Sequence, residues 1–244
     1  MFSFGWKMLA AALVNEFFTE LNSLIIGKKY TSADLAYYSK GKQFPSMIVS
    51  GLTTSISSVM LAAFSKVQSD IDALHKLIKK SINVNSYLVF PILGIFAMTA
   101  KPIITVLLTE KWLPCIPYLY LVCFTFSLYP VASVQVQSIA AVGRSDMRLK
   151  MEFIKKGIAI ALLLPAIKYG PYAIAVSAAI TSVLSVLVGA IGCQICTGYK
   201  VTSTLKDITP IFLITACAIV PLYFIGKMNL PNIVMIIVQV AVGG

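Results

Sequence analysis

The stretch Met8-Leu-Ala-Ala-Ala-Leu-Val-Asn-Glu-Phe-Phe-Thr-Glu-Leu-Asn-Ser-Leu-Ile-Ile26 reads as a membrane-crossing helix that carries two carboxylates, Glu16 and Glu20. It is long enough to cross the roughly 30 Å hydrocarbon layer of a bilayer. Ionisable groups at that depth cost on the order of 2.5–3.5 kcal/mol each on insertion scales, so they normally face a wet cavity, a partner or a transported cargo. Glu16 and Glu20 lie one helical turn apart on a single face, with Asn15, Thr19 and Ser23 beside them. A transporter is the first class of function this pattern brings forward.

Composition carries the membrane assignment beyond that segment. Of the 244 residues 58% are hydrophobic and 12% charged, and the mean hydropathy is +0.87; a soluble domain carries about twice that charge. Apolar runs recur along most of the chain, separated by short patches that hold nearly all the Lys and Arg, as in a polytopic helical bundle. The net charge of +11 does not point to nucleic acid, because the basic residues border apolar spans rather than forming one basic face. Anionic lipid headgroups and the positive-inside rule account for them. Cys115, Cys123, Cys193, Cys196 and Cys217 mostly sit in apolar runs, where cysteine behaves as a small hydrophobe. Cys193-Gln-Ile-Cys196 has redox or metal spacing, but no second ligand pair accompanies it and His75 is the only histidine. No metal, cofactor or catalytic residue is expected, and nothing resembles a nucleotide-binding loop.

Eight membrane segments are expected: residues 7–27, 45–64, 84–100, 117–141, 157–169, 172–196, 208–225 and 232–242. In the second, Ser50, Thr53, Thr54, Ser57 and Ser58 form a hydroxyl stripe that either lines a passage or permits close helix packing. Pro91 and Gly94 predict a bend in the third. Lys101–Lys111 is too short to span and reads as an interfacial or re-entrant helix, and Asp70–Lys80 as an amphipathic helix lying on anionic lipid. In the fourth segment Tyr129, Ser133 and Gln137 share one face and are expected to point inward. Gly170-Pro171 makes a tight link between the fifth and sixth segments. The N-terminus lacks the features of a cleaved signal peptide, and Val242-Gly243-Gly244 follows an apolar run without a polar flank, so the last segment reads as cut short. Counting basic residues on alternate sides puts Lys7, Lys66, Lys76–Lys80, Arg144–Lys156, Lys200 and Lys206 on the more basic side, which makes the N-terminus cytoplasmic.

Three ordered stretches carry a family resemblance: Leu35-Ala-Tyr-Tyr-Ser-Lys-Gly-Lys-Gln-Phe-Pro45 followed by Ala62–Asp70; Phe90-Pro-Ile-Leu-Gly94 with Glu110-Lys-Trp-Leu-Pro114; and Ala141-Val-Gly-Arg-Ser-Asp-Met-Arg-Leu-Lys150. Together they resemble the second half of the Wzx-type polysaccharide and O-antigen flippases, most of all the branch associated with colanic-acid and lipopolysaccharide export. The resemblance implies an all-α polytopic transmembrane bundle of the MOP superfamily, which is MATE-like in having two six-helix lobes around a cavity. Residues 1–200 would form the second lobe, and 201–244 two appended helices, the last truncated. It also implies translocation of undecaprenyl-diphosphate-linked oligosaccharides across the bacterial inner membrane, beside a first-lobe polypeptide or other polysaccharide-assembly proteins. Such repeats fit alternating access, in which lobes rock about a fixed site.

Within that frame Glu16, Glu20 and Asn15 are candidates for proton or cation coupling, because mutual repulsion and poor solvation favour protonation of at least one carboxylate. The alternatives are an aqueous vestibule or pairing with lysines of the other lobe. Residues 157–169 hold no carboxylate to complete a cation cage. Thr19, Ser50, Thr54, Tyr129, Ser133 and Gln137 are cavity-lining candidates. Lys155 and Lys156 are the diphosphate-binding candidates, since an unpaired diphosphate in a low-dielectric cavity is strongly disfavoured; as an alternative they are snorkelling topology determinants. Arg144 and Asp146 are expected to pair locally. Two rival functions stay open. One is an integral-membrane polymerase or transferase on the same lipid-linked sugar, for which Asp70-Ile-Asp72 is the sole Asp-x-Asp. The other is a non-functional truncated remnant.

Overall fold

The computed structural model describes residues 17, 18 and 20–225, and among them all regular structure is helical. The eighth expected segment, with Asn15 and Glu16, lies outside the described residues. Helix α1 runs through residues 20–29. It is followed by α2 (Ser32–Lys66), α3 (Ile71–Met98), α4 (Ala100–Leu108), a 3-10 turn (Glu110–Cys115), α5 (Ile116–Ser127), α6 (Tyr129–Ala141), α7 (Ser145–Ala166), α8 (Pro171–Thr197) and α9 (Val201–Ile225). Four stretches of these are long and apolar enough to cross a membrane: Ile71–Met98, Glu110–Ala141, Pro171–Thr197 and Val201–Val220. The protein is an integral membrane protein.

Several boundaries move from those expected, each for a local reason. The second segment does not begin at Pro45, because Thr31 starts the helix earlier through a capping box. Its hydroxyl accepts from the Asp34 amide at 3.1 Å, while the Asp34 carboxylate accepts from the Thr31 amide at 3.2 Å. Asp70–Lys80 does not lie on lipid either. It is the first part of α3, and Leu74, Ile78 and Ile82 are buried against Phe64, Met151, Tyr199 and Ile208. An amphipathic period looks the same whether its apolar face meets lipid or protein. Asp70 caps this helix by accepting from the Ala73 amide at 3.0 Å, and Asp72 sits in its first turn. The Asp-x-Asp pair therefore has a structural explanation. The fourth segment divides at Leu128 into α5 and α6, with Pro130 in the first turn of α6. The fifth is longer than expected and starts at Ser145.

Two packed ends position the middle of the bundle. At one end the close of α2, the start of α3, the close of α6, the start of α7, the close of α8 and the start of α9 share a core that includes Phe64, Leu74, Ala141, Met151, Cys193 and Ile208. At the other, α1, α2, α5, α7 and α8 meet around Ile26, Tyr38, Tyr118, Leu163 and Ile174. The helices thus alternate in direction, and the segments holding Lys76–Lys80, Arg144–Lys156, Lys200 and Lys206 converge on the first end. Polar contacts reinforce that end. His75 Nε2 lies 2.7 Å from the Thr197 carbonyl, Lys79 pairs with Asp207 at 3.7 Å, and the Tyr199 hydroxyl donates to Asp207. Arg144 and Asp146 form the local pair expected of them, at 3.7 Å.

Glycines set the closest helix approaches. Gly94 abuts Ile219 of α9 within α3, so it serves helix contact, and α3 runs unbroken through Pro91. A Cβ on Gly41 of α2 would stand 2.9 Å from the Tyr118 Cβ and 3.0 Å from the Cys115 carbonyl and Leu119 amide, both backbone atoms that cannot swing aside. Gly170, at φ 109°, holds the turn between α7 and α8 in a conformation that side chains rarely adopt.

Gly41→Ala is expected to lower stability by about 1–3 kcal/mol through overpacking. Gly51→Ala, where nothing lies within 4 Å, should be neutral or mildly stabilising. Thermal unfolding in detergent compares the two. A second expectation concerns Tyr199, whose phenol is pushed above its ordinary 10.0 by burial first and by the hydrogen bond to Asp207 second. A raised folded-state pKa gives stability that is complete below the unfolded pKa of about 10 and is lost as pH rises beyond it. Stability should therefore fall more steeply from about pH 9 to 11 in the parent chain than in Tyr199→Phe.

Candidate functional site

α6 carries polar groups on two faces, and helical periodicity sends them to different places. Gln135 and Ser138 turn into the α8 contact, where Gln135 Nε2 donates to the Val186 carbonyl at 3.2 Å and Ser138 Oγ lies 3.4 Å from Cys193 Sγ. Tyr129, Ser133 and Gln137 turn the other way and line a cavity of about 670 Å³. That cavity is bordered by Phe18, α1 (Leu21, Asn22), α2 (Thr53), α6, α7 (Arg148, Glu152, Lys155, Lys156, Ala159, Leu163) and α8 (Ser177, Thr181, Ser185).

The cavity is chemically one-sided. Among the described residues every charged group lining it belongs to α7, while α6 and α8 contribute hydroxyls, an amide and small side chains. Lys155 is only 12% exposed, and its Nζ lies 3.4 Å from Glu152 Oε1, the carboxylate being 44% exposed. Lys156 stands 4.6 Å from the centroid of the Phe18 ring, a cation–π arrangement that ties α7 to Phe18. Among the described residues three cations face one carboxylate here, so the α7 wall attracts anions.

Five of the residues picked from the sequence therefore meet in one space: Tyr129, Ser133, Gln137, Lys155 and Lys156. Ser50 does not border it; it is exposed on α2 and its hydroxyl donates to the Met47 carbonyl at 3.2 Å. Thr53 of the same stripe does border it. Thr19 and the side chain of Thr54 lie outside the described residues. Glu20 is not part of the cavity lining. Its carboxylate accepts from Lys42 Nζ at 2.6 Å and from Ser23 Oγ at 2.7 Å, joining α1 to α2 within the chain rather than to another lobe. Lys42 is 22% and Glu20 41% exposed, so the pair is partly shielded and its stabilisation is modest.

Arg148 and Glu152 were not anticipated. Their signal is the spacing Arg148, Glu152, Lys155, Ala159, Leu163 along one helical stripe, which becomes visible only when residues 145–166 are read as one helix. Cys193 and Cys196 are free thiols, and Cys193 is buried against Ser138 and Thr197. No group of three or more His, Cys, Asp or Glu among the described residues could hold a metal ion.

The family described as "Polysaccharide biosynthesis protein" matches residues 1–117. An uncharacterized membrane protein of the cps region of Klebsiella pneumoniae is 30% identical over 114 residues, covering 47% of this chain and 24% of that protein. The lipopolysaccharide biosynthesis protein WzxC of Escherichia coli strain K12 is 25% identical over 167 residues, 68% of this chain and 33% of that one. The teichuronic acid biosynthesis protein TuaB of Bacillus subtilis strain 168 is 23% identical over 146 residues, 60% of this chain and 30% of that one. The matches thus span a quarter to a third of these relatives' lengths. The lipid II flippase MurJ in its inward closed conformation superimposes with a TM-score of 0.76 at 17% identity, over 99% of this chain and 53% of MurJ; this likeness concerns the fold.

A wet cavity predicts a labelling pattern. In a cysteine-free background, Gln137→Cys and Ser133→Cys should react with a membrane-impermeant maleimide. A cysteine restored only at buried position 123 should react at least tenfold more slowly, read by a gel shift.

Proposed function

We propose, on the premise that the chain is a relative of the polysaccharide flippases of the MOP superfamily, that it forms one lobe of an exporter of lipid-linked oligosaccharides. The observation that carries this reading is the convergence of Tyr129, Ser133, Gln137, Lys155 and Lys156 on one cavity with a cationic wall. A lipid-diphosphate cargo has an anion that must be matched inside the membrane and sugars that need hydroxyl and amide partners. In this reading Lys155 and Lys156 meet the diphosphate, and the α6 and α8 walls meet the sugar units. The carrier is undecaprenyl diphosphate, the membrane is the bacterial inner membrane, and the more basic end of the bundle faces the cytoplasm with the N-terminus.

The chain spans about half of the flippase whose fold it shares, which supports a requirement for a first lobe facing this cavity. Rocking of two lobes would then expose the site to each side in turn. Coupling to protons falls to the first helical segment. Protonation of Glu20 would weaken its hold on Lys42 and loosen α1 from α2, and Glu16 and Asn15 complete the candidate set. The work done is transport of an intact lipid-linked unit, with no bond made or broken.

The test is translocation of a fluorescent undecaprenyl-diphosphate oligosaccharide in proteoliposomes holding this chain with the first lobe of a relative, across an imposed pH gradient. Lys155→Gln combined with Lys156→Gln should cut the rate at least tenfold, and Glu20→Gln should remove the gradient dependence. Rates unchanged in the double lysine variant, in folded protein, would overturn the reading. Loss of sugar incorporation in Asp70→Ala with Asp72→Ala, with translocation unaffected, would favour the enzyme rival instead.

A further inference from the structure

Among the described residues Glu152 is the one acid on the cavity wall, and its position is unlike that of Glu20 on α1. Glu20 is gripped from two directions, by Lys42 at 2.6 Å and Ser23 at 2.7 Å. Glu152 touches Lys155 through one oxygen at 3.4 Å, one turn away on the same helix. Lys155 is nearly covered at 12% exposure, so its charge needs an anion close by. Glu152, at 44%, can leave that contact and be rehydrated at little cost.

We propose that Glu152 is an exchangeable counter-ion: it neutralises Lys155 in the empty cavity and yields that cation to the anionic group of the cargo. The inference rests on the reading of the cavity as a lipid-diphosphate site and adds a residue that sets its affinity. Among the described residues Arg148 and Lys156 line the same wall with no carboxylate paired to them, and α1, α2, α6 and α8 contribute no charge to the lining. The exchange between Glu152 and a diphosphate is therefore local to α7. A buried cation with no internal partner would hold a diphosphate too tightly to release it. A cation with a strong partner would not bind it. A weak, solvated internal carboxylate lies between those limits, and it selects against uncharged lipids, which cannot replace it.

Binding of farnesyl diphosphate to the purified full chain, at fixed ionic strength and by calorimetry, tests this, with inorganic pyrophosphate separating headgroup from tail. The parent chain should bind, and Lys155→Gln should weaken binding about tenfold or more. Glu152→Gln should tighten it about tenfold, because the incoming anion no longer competes with an internal carboxylate for Lys155. In Glu152→Gln with Lys155→Gln the tightening should vanish, a coupling that a merely structural glutamate would not show. Unchanged or weaker binding in Glu152→Gln, with Lys155→Gln still impaired, overturns the counter-ion role and leaves the diphosphate site standing. No binding by the parent chain, or none lost in Lys155→Gln, overturns both. Should Glu152→Gln give no thermal unfolding transition, Glu152→Asp decides: it withdraws the carboxylate from Lys155, and tighter binding supports the exchange while equal or weaker binding refutes it.

Discussion

A covered cation inside an apolar bundle is the constraint on which the rest depends. Lys155 cannot sit at 12% exposure without a nearby anion, and a helix carrying Arg148, Glu152, Lys155 and Lys156 along one stripe cannot turn that stripe to lipid. It must face inward. α7 therefore packs with its charged stripe toward α1, α6 and α8, and the space between becomes a polar cavity in a chain whose mean hydropathy is +0.87. The remaining walls follow suit: hydroxyls and amides line the side opposite the charges, because neutral polar groups tolerate partial dehydration that ions do not.

Holding that cavity open takes rigid ends. Small residues bring helices close, Gly41 against α5 and Gly94 against α9, and aromatic and branched side chains fill both end cores. Association in a membrane gains little from hydrophobicity, since lipid is as apolar as the partner helix, and so depends on such close packing and on interhelical polar contacts. The His75, Thr197, Tyr199, Asp207 and Lys79 contacts tie α3, α8 and α9 at one end, outside the cavity. Structure and site are thus separated by helix face: Met151 of α7 packs into the first end core, while Arg148, Glu152, Lys155 and Lys156 turn to the cavity.

The separation explains the readings that moved. Asp70–Lys80 has the alternation of a surface helix, yet it is a buried end of α3, because periodicity records an apolar face without naming what covers it. Lys155 and Lys156 stand out in the sequence as bases beside an apolar run, whereas Arg148 and Glu152 look like linker charges until Ser145–Ala166 is seen as one helix. Thr53 and Ser50 belong to one hydroxyl stripe, and the rotation of α2 sends Thr53 to the cavity and Ser50 away from it.

Hydropathy and charge placement by themselves determined that this is a membrane-embedded helical bundle, which helices carry polar faces and which residues of α6 turn inward. Those are properties of a single helix and its solvent, and local sequence encodes them. Only the tertiary structure decided that the α6 face and the α7 stripe confront each other, that Glu20 is held by Lys42 and that Glu152 is the companion of Lys155 inside the cavity. Those depend on how far each helix extends and how it is rotated against its neighbours. Rotation is set by side-chain packing among residues distant in the chain, which no local pattern records.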